Sequence, residues 1–564
     1  MKLRHVKIEN FRGITNLELE IGDIVVLIGE NNTGKTAVLD ALKFALREVR
    51  SRRGCAFDSY DFHLPTAEST PSSAAPISIV LTFREDTLGD WNEQQTARLN
   101  RARIAQIDTQ GRTSVILKVG ARFDTETQEF IHDWEFRNIE GAPLAGLTDS
   151  AMGVFQNEVE YYYLSALRDA AKHFDAKGIY WRPFLKESQL SPEKREEIEA
   201  KLADVNQLIV SSHASFSQVV EKLKEVKNVL TIPGGDNLVS IDSVPGRLFD
   251  LLSKAQVNLN AGTGAKVPVG RHGEGTQSIA VLTLFNAFLQ AWNKGDIIVA
   301  LEEPEAHLHP SAIRALWQLI TRIPGQKIIS THSGDLLSEV PSEYVTRLYK
   351  VAGNVTSAGF KDINLDAGDT RKFNFHIRRA RGELLFAKCW ILGEGETEAT
   401  LIPEIARILN NNLERAGIRC VTYQTGISLE LAVIIANKMG IHWVVLSDND
   451  QQGRADQEAV RRHLDGRQEE NVLFTMQEAN IEEHLCVHGF SDVYNNLLTG
   501  QPRQNVTAQP QEPANPIQVA KALPSKLKTR AAQEVLASIQ NGSHLVPKLL
   551  QDVIEAALIL AEAQ

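Results

Sequence analysis

The 564-residue chain is 43% hydrophobic and 23% charged with a net charge of −11, the balance of an ordinary globular protein too long for a single core. No apolar run reaches the roughly eighteen residues of a spanning helix, and the opening MKLRHVKIENF lacks the apolar stretch of a signal peptide. The four cysteines (Cys55, Cys389, Cys420, Cys486) are scattered without metal or disulfide spacing, so a cytoplasmic setting is expected and any nucleic-acid contact must rest on local basic patches.

In chain order, Leu17, Leu19 and Ile21 alternate as in a strand, and the run DIVVLIG predicts a buried one. GENNTGKT, Gly29 to Thr36, follows that run and matches G-x-x-x-x-G-K-[ST]. Backbone amides of the loop, at Gly29, Asn31, Asn32 and Gly34, would cradle phosphates at a helix N-terminus. Lys35 would reach the outer phosphates, and the Thr36 hydroxyl would ligate magnesium. A helical stripe follows with Val38, Leu39, Leu42 and Leu46. PISIVLTF, SVILKVG and EFIHDWEF predict a strand-rich lobe, after a Ser/Thr/Pro loop from Thr66 to Ala75.

Ser191-Pro192-Glu193 is a helix start. Ile198, Leu202, Val205 and Ile209 form one stripe, and Phe216, Val219, Leu223 and Val226 form a second after SSHAS. This helical hairpin is either solvated within one subunit or an inserted dimerisation arm. Further on, DIIVALEEPEAHLHP predicts a buried strand over Ile297 to Ala300 with Glu302 and Glu303 at its end. Glu302 stands where aspartate is usual and would hold the magnesium water shell; Glu303 would polarise an attacking water. QKIISTHS then places His332 where it can sense a terminal phosphate.

IENFRGI, GENNTGKT and EEPEAHLHP together resemble the ABC-type ATPases of the SMC and overcoming-lysogenization-defect groups. The resemblance implies ATP as cofactor and a glycine-rich signature supplied by a second subunit. GRHGEGTQS, Gly270 to Ser278 with Gly273 and Gly275, is the candidate, although it departs from Leu-Ser-Gly-Gly-Gln. ATP sandwiched between two heads would make the protein a homodimer.

The last third follows a basic segment (Arg371, Lys372, Arg378, Arg379, Arg381) that is either a charged linker or a track for a DNA backbone. It holds ILGEGETEATLIPEI and, about fifty residues on, WVVLSDNDQQG. Glu394 and Glu398 flank a tight turn into a helix, and Asp448 and Asp450 would point to one side if their strand continued. Four such carboxylates require divalent cations, and all-oxygen donors favour Mg2+ or Mn2+. A Pro/Gln/Asn-rich stretch, GQPRQNVTAQPQEPANP, predicts a linker before a terminal pair of helices.

EGxxE followed by DxD resembles the Toprim pattern, and ATPase before Toprim is the order of the overcoming-lysogenization-defect (OLD) nucleases, including the nuclease subunit of Gabija antiphage systems. The resemblance implies an α/β architecture. An ABC ATPase head spans 1–165 and 237–375, a helical insertion spans 166–236, and a Toprim domain with helical extension spans 380–564. It also implies a further metal-binding acid, Glu482 in preference to Glu483 of NIEEHL, and a late lysine, Lys528 in preference to Lys526. The expected activity is two-metal hydrolysis of DNA under nucleotide control in antiphage defence, in a homodimer or higher homo-oligomer with a helicase-like or other defence partner. The alternatives are an SMC-like repair ATPase with a non-cutting Toprim domain, or Toprim primase or topoisomerase chemistry. Gln452 in place of a third aspartate, and the lack of a tyrosine nucleophile context, favour hydrolysis.

Overall fold

The computed structural model describes residues 1–49, 55–66, 68–165, 191–212, 258–260, 266–268, 271–291, 296–363, 365–379, 382–423 and 427–563. The second helix of the expected hairpin, Gly270 and Arg381 lie outside them. The chain divides into two compact units: Met1–Tyr163 with Lys294–Glu305 and Gly325–Gln564, and Leu164–Asn293 with Ala306–Pro324.

The first unit begins with β1 (Leu3–Phe11) and β2 (Ile14–Glu20), an antiparallel pair whose buried residues face one core. The alternation in β1 steps from Leu3 to Val6 because the register shifts between Leu3 and His5, an irregularity that re-aims the following side chains. β3 (Ile24–Ile28) is apolar throughout and four of its five residues are buried. That is what a strand covered on both faces requires. β4 (Ile77–Arg84), β5 (Gln106–Ile107), β6 (Thr113–Asp124) and β7 (Glu129–Arg137) extend the first sheet in the order β2-β1-β4-β6-β5, with β7 on β6. β8 (Val159–Leu164) joins a second sheet.

The second unit contains the helix Pro192–Ser212, the short pair β9 (Asn258–Asn260) and β10 (Lys266–Pro268), and the helices Glu274–Ala291 and Pro310–Arg322. Returning to the first unit, β11 (Asp296–Glu302), β12 (Gln326–Ser330), β13 (Val345–Val351) and β14 (Asn354–Gly359) complete the second sheet in the order β14-β13-β3-β12-β11-β8. Its four central strands are parallel. The phosphate-loop strand β3 is therefore flanked by β12 and β13, and the carboxyl ends of β3 and β11 open on one edge. This sheet carries the phosphate loop of the expected head.

A third sheet of four parallel strands follows: β15 (Cys389–Gly393), β16 (Ile418–Thr422), β17 (His442–Ser447) and β18 (Leu473–Thr475), in the order β16-β15-β17-β18. Trp390 and Trp443 pair across β15 and β17 and are fully buried. The terminal helix Lys548–Glu562 lies against β15 and β17, and the helix Lys528–Gln540 lies against Glu396–Ile408. The expected linker differs from its prediction. Gln501–Gln504 within it is helical, the helix Asn515–Ala522 begins at its end, the Gln518 side chain accepts the backbone amides of Thr507 and Ala508, and Asn515 donates to the Ala508 carbonyl. Its amides thus find fixed acceptors, which is what makes a polar stretch an ordered surface segment.

Head and Toprim sheets share the first unit, so the expected boundary near 375–380 falls inside one compact body. Arg347 on β13 is 1% exposed and donates to the carbonyls of Met439 (2.8 Å), Gly440 (2.7 Å) and Ala387 (2.8 Å). Burial draws its pKa down to about 10. Among the described residues no carboxylate hydrogen-bonds this guanidinium; its charge rests on carbonyl dipoles of the Toprim domain.

Candidate functional site

At the head, Gly29 adopts φ 146°, and a Cβ there would lie 2.1 Å from the Leu348 carbonyl oxygen. Only glycine fits between β3 and β13. Asn31 and Asn32 are exposed on the loop, and Gly34 precedes the helix Lys35–Lys43. Lys35 is buried and its ammonium donates to the carbonyls of Gly29 (2.8 Å) and Glu30 (2.6 Å). Burial pulls its pKa down to about 8, a cost that an incoming phosphate anion would relieve.

Two donors meet on Glu302 at the end of β11. The Thr36 hydroxyl donates to Oε1 at 2.6 Å and the Tyr163 hydroxyl to Oε2 at 2.6 Å. Glu303 follows with φ 44°, its amide held by the Ser330 carbonyl (2.9 Å), and its Oε1 lies 3.4 Å from His332 Nε2. Burial, and then Lys35, push the His332 pKa down, so the ring is kept neutral. Lys35, Thr36, Glu302, Glu303 and His332, separated by up to about three hundred positions, therefore form one cluster. Two members escaped the motif reading. Tyr163 carries no motif, and Glu305, whose carboxylate accepts from Thr331 beside His332, lies in the loop after β11.

Gly273 and Gly275 belong to the second unit. They open the helix Glu274–Ala291, where the Gly273 carbonyl accepts the Gln277 amide at 3.1 Å. Glu274 lies 3.2 Å from His307 Nδ1, and a Cβ at Gly275 would sit 3.2 Å from the His307 carbonyl oxygen. The glycine-rich segment and the AHLHP loop are thus packed on each other within that unit.

The second cluster forms at the carboxyl edge of the Toprim sheet. Glu394 leaves β15, and Gly395 caps the helix Glu396–Ile408 with its amide donating to Glu398 Oε2 at 3.1 Å. β17 stops at Ser447, so Asp448 and Asp450 do not alternate on a continuing strand. Instead the chain turns sharply, and Asp450 caps the helix Gln451–Arg461 by accepting the Gly453 amide at 2.7 Å. The turn needs glycine at 453, where a Cβ would meet the Asp448 carbonyl oxygen at 2.2 Å. Helix capping fixes Asp450, which the strand argument could not see.

The carboxylates act on one another. Burial, then the charges of Glu394 and Glu398, raise the Asp448 pKa; burial, then Asp450 and Asp456, raise that of Glu394. Glu398, 3% exposed, is pushed up to about 7 by burial and by Glu482 and Glu394. Glu482 sits on the helix Ile481–Leu485, accepting from the Thr397 hydroxyl at 3.2 Å and the Lys528 ammonium at 3.0 Å. Glu483 faces Lys521 instead (3.6 Å), and Lys526 lies in the turn Ser525–Leu527. His484 holds this helix in place through Glu478 (2.7 Å). Asp448 Oδ1 is buried with no hydrogen-bond partner among the described residues. An all-oxygen donor set that holds protons against its usual pKa suits a hard divalent cation. Asp456, one and a half helical turns past Asp450, was missed by the motif; Gln452 donates to it at 3.0 Å.

The two centres are linked at their edges. Lys388, which precedes β15, places Nζ 3.6 Å from Oε2 of Glu30 in the phosphate loop. Among the described residues, no helix is long and apolar enough to cross a membrane.

Comparison with known proteins agrees with this arrangement. A family described as "Protein of unknown function (DUF2813)" matches residues 1–230 and 257–383, and the "Overcoming lysogenization defect protein-like, TOPRIM domain" matches 385–450. The uncharacterized protein YbjD of Escherichia coli K12 is 28% identical over the full length of both chains. Endonuclease GajA of Bacillus cereus is 23% identical over 82% of this chain and 77% of its own. The OLD nuclease of Thermus scotoductus is 25% identical over 82% of this chain and 85% of its own. The chain belongs to the DUF2813 family, and its residues 385–450 match the OLD-like Toprim domain.

Proposed function

We propose that this protein is an ATP-binding and ATP-hydrolysing, divalent-metal-dependent DNA endonuclease whose cutting is governed by nucleotide. The observation that carries the reading is the group Glu394, Glu398, Asp448, Asp450 and Glu482, gathered at one sheet edge with Lys528 on Glu482. These acids would hold Mg2+ or Mn2+, which when bound supplies activation of water and stabilisation of the leaving oxygen. Lys528 would set its positive charge beside the phosphate as negative charge builds in the transition state. Water adds to phosphorus, the P–O bond breaks, and the leaving oxygen gains a proton.

At the head, Lys35 and the loop amides would bind the phosphates of ATP, and Thr36 with Glu302 would hold its Mg2+. Glu303 would orient the attacking water, with His332 beside the terminal phosphate. Nucleotide control is supported by the Glu30 to Lys388 contact and by Arg347, which ties the strand beside the phosphate loop to β15 and β17. A second copy would offer Gly273 and Gly275 to close the nucleotide, giving a homodimer or larger assembly. A role in antiphage defence, with a helicase-like or other defence partner, rests on the sequence resemblance to the OLD nucleases.

The test is cleavage of plasmid and defined DNA with Mg2+ or Mn2+, with and without ATP. Metal-dependent cutting that disappears in Glu394→Gln and Asp450→Asn is expected. DNA binding without cutting would return the chain to the repair-ATPase reading, and religation or primer synthesis would return it to topoisomerase or primase chemistry.

A further inference from the structure

Tyr423 follows β16 immediately, and its amide donates to the Gly393 carbonyl at 3.1 Å. Gly393 is the last residue of β15, so this bond sets Tyr423 beside the position from which Glu394 departs. The side chain turns inward: the residue is 6% exposed, and its hydroxyl is buried with no hydrogen-bond partner among the described residues. Burial first, then the charges of Glu394, Asp456, Asp448 and Glu398, act against ionisation of the phenol. β15 and β16 run parallel with Gly393 opposite Thr422, so Tyr423 lies beside Glu394 with an O–H donor that has no acceptor among the described residues.

An unsatisfied buried hydroxyl costs stability. The cost has a use if the neighbouring acids hold a divalent cation, because a ligating carboxylate would keep lone pairs that need a donor from the protein. Side chains that hold ligands in this way orient them and raise affinity.

We propose that Tyr423 is a positioning residue of the nuclease centre, whose hydroxyl donates to the Glu394–Asp448 carboxylate pair and fixes it for divalent-cation binding. The proposal rests on the metal-nuclease reading of these acids, and its test separates the two. Mn2+ binding to the nucleotide-free full-length protein is measured by electron paramagnetic resonance titration, beside thermal unfolding of the metal-free protein. Tyr423→Phe keeps the ring and removes the donor. Its Mn2+ affinity is expected to fall roughly tenfold to a hundredfold, while the metal-free Tm stays level or rises because an unsatisfied hydroxyl has gone. A merely structural hydroxyl would lower the metal-free Tm and leave Mn2+ affinity unchanged, which overturns the proposal. Unchanged affinity in Tyr423→Phe together with lost binding in Asp448→Asn also overturns it, and leaves the nuclease reading standing. An absence of saturable Mn2+ binding in the wild type overturns the reading beneath it as well.

Discussion

The two centres answer the problem of an empty polar site in opposite ways. In the head, the residues expected to meet phosphate and magnesium already have protein partners: Lys35 rests on two carbonyls, and Glu302 takes hydrogen bonds from Thr36 and Tyr163. In the Toprim domain, Glu394, Glu398 and Asp448 are pressed together with raised pKa values, and Asp448 Oδ1 has no hydrogen-bond partner among the described residues. The first site is preorganised by its own hydrogen bonds. The second is held together by the fold against its own charge. Removing a group should therefore damage the first centre structurally and relax the second.

The largest contrast is expected at Asp448. Asp448→Asn should reduce metal-dependent cleavage on the order of a thousandfold while raising the metal-free Tm, because one member of a repelling group has become neutral. Cleavage assays and calorimetry on the same preparation check both halves; a fall in Tm would break the comparison. The pH dependence follows with its sign. Glu398 and Asp448 have folded pKa values above their unfolded ones, so the folded state binds more protons across that interval. Stability of the metal-free chain should be greatest near pH 5 and decline as pH rises through about 7, where Glu398 ionises, and beyond it for Asp448. Saturating Mg2+ should flatten the decline, and denaturant titrations at several pH values measure it.

Lys35→Ala should weaken ATP binding by about a hundredfold and, unlike Asp448→Asn, lower Tm, since the carbonyls of Gly29 and Glu30 lose their donor. Isothermal titration and thermal unfolding test the pair of effects. Arg347→Ala should cost about 3 kcal/mol, measured by denaturant unfolding, because three carbonyls of the Toprim domain lose a buried donor. It should also uncouple cleavage from ATP, so that an ATP titration that changes wild-type cutting leaves the variant flat.

What the sequence made legible follows from locality. A phosphate loop is one strand, one turn and one helix, so GENNTGKT identifies itself; the same holds for the turns that carry Glu394 and Glu398. Glu482 and Lys528 came only from family resemblance, since nothing local distinguishes them from Glu483 and Lys526. Their salt bridge at 3.0 Å depends on the helix Lys528–Gln540 docking on Glu396–Ile408, a long-range packing choice. Tyr163, Tyr423 and Asp456 were missed for the same reason. Each lies near its cluster because a neighbouring strand or a later helical turn brings it there, and no periodicity records which strands will be neighbours. The order of Asp448 and Asp450 was read as strand alternation, whereas Gly453 permits a turn tight enough for Asp450 to cap a helix.

The smallest expected effect tests how far preorganisation in the head extends. Tyr163 sits on β8, and its hydroxyl gives Glu302 its second bond. Glutamate is one methylene longer than the aspartate usual at this position, so its carboxylate has an added rotatable bond that something must fix. Thr36 fixes one oxygen and the Tyr163 hydroxyl fixes the other. Tyr163→Phe should accordingly leave ATP affinity within about twofold and lower the ATPase rate several-fold, roughly 1 kcal/mol for one neutral hydrogen bond. Glu302→Asp in the same background should show no additional dependence on Tyr163, because the shorter side chain no longer reaches it. A double-mutant cycle on the ATPase rate measures this coupling, and additive effects would show that Tyr163 supports β8 rather than the carboxylate.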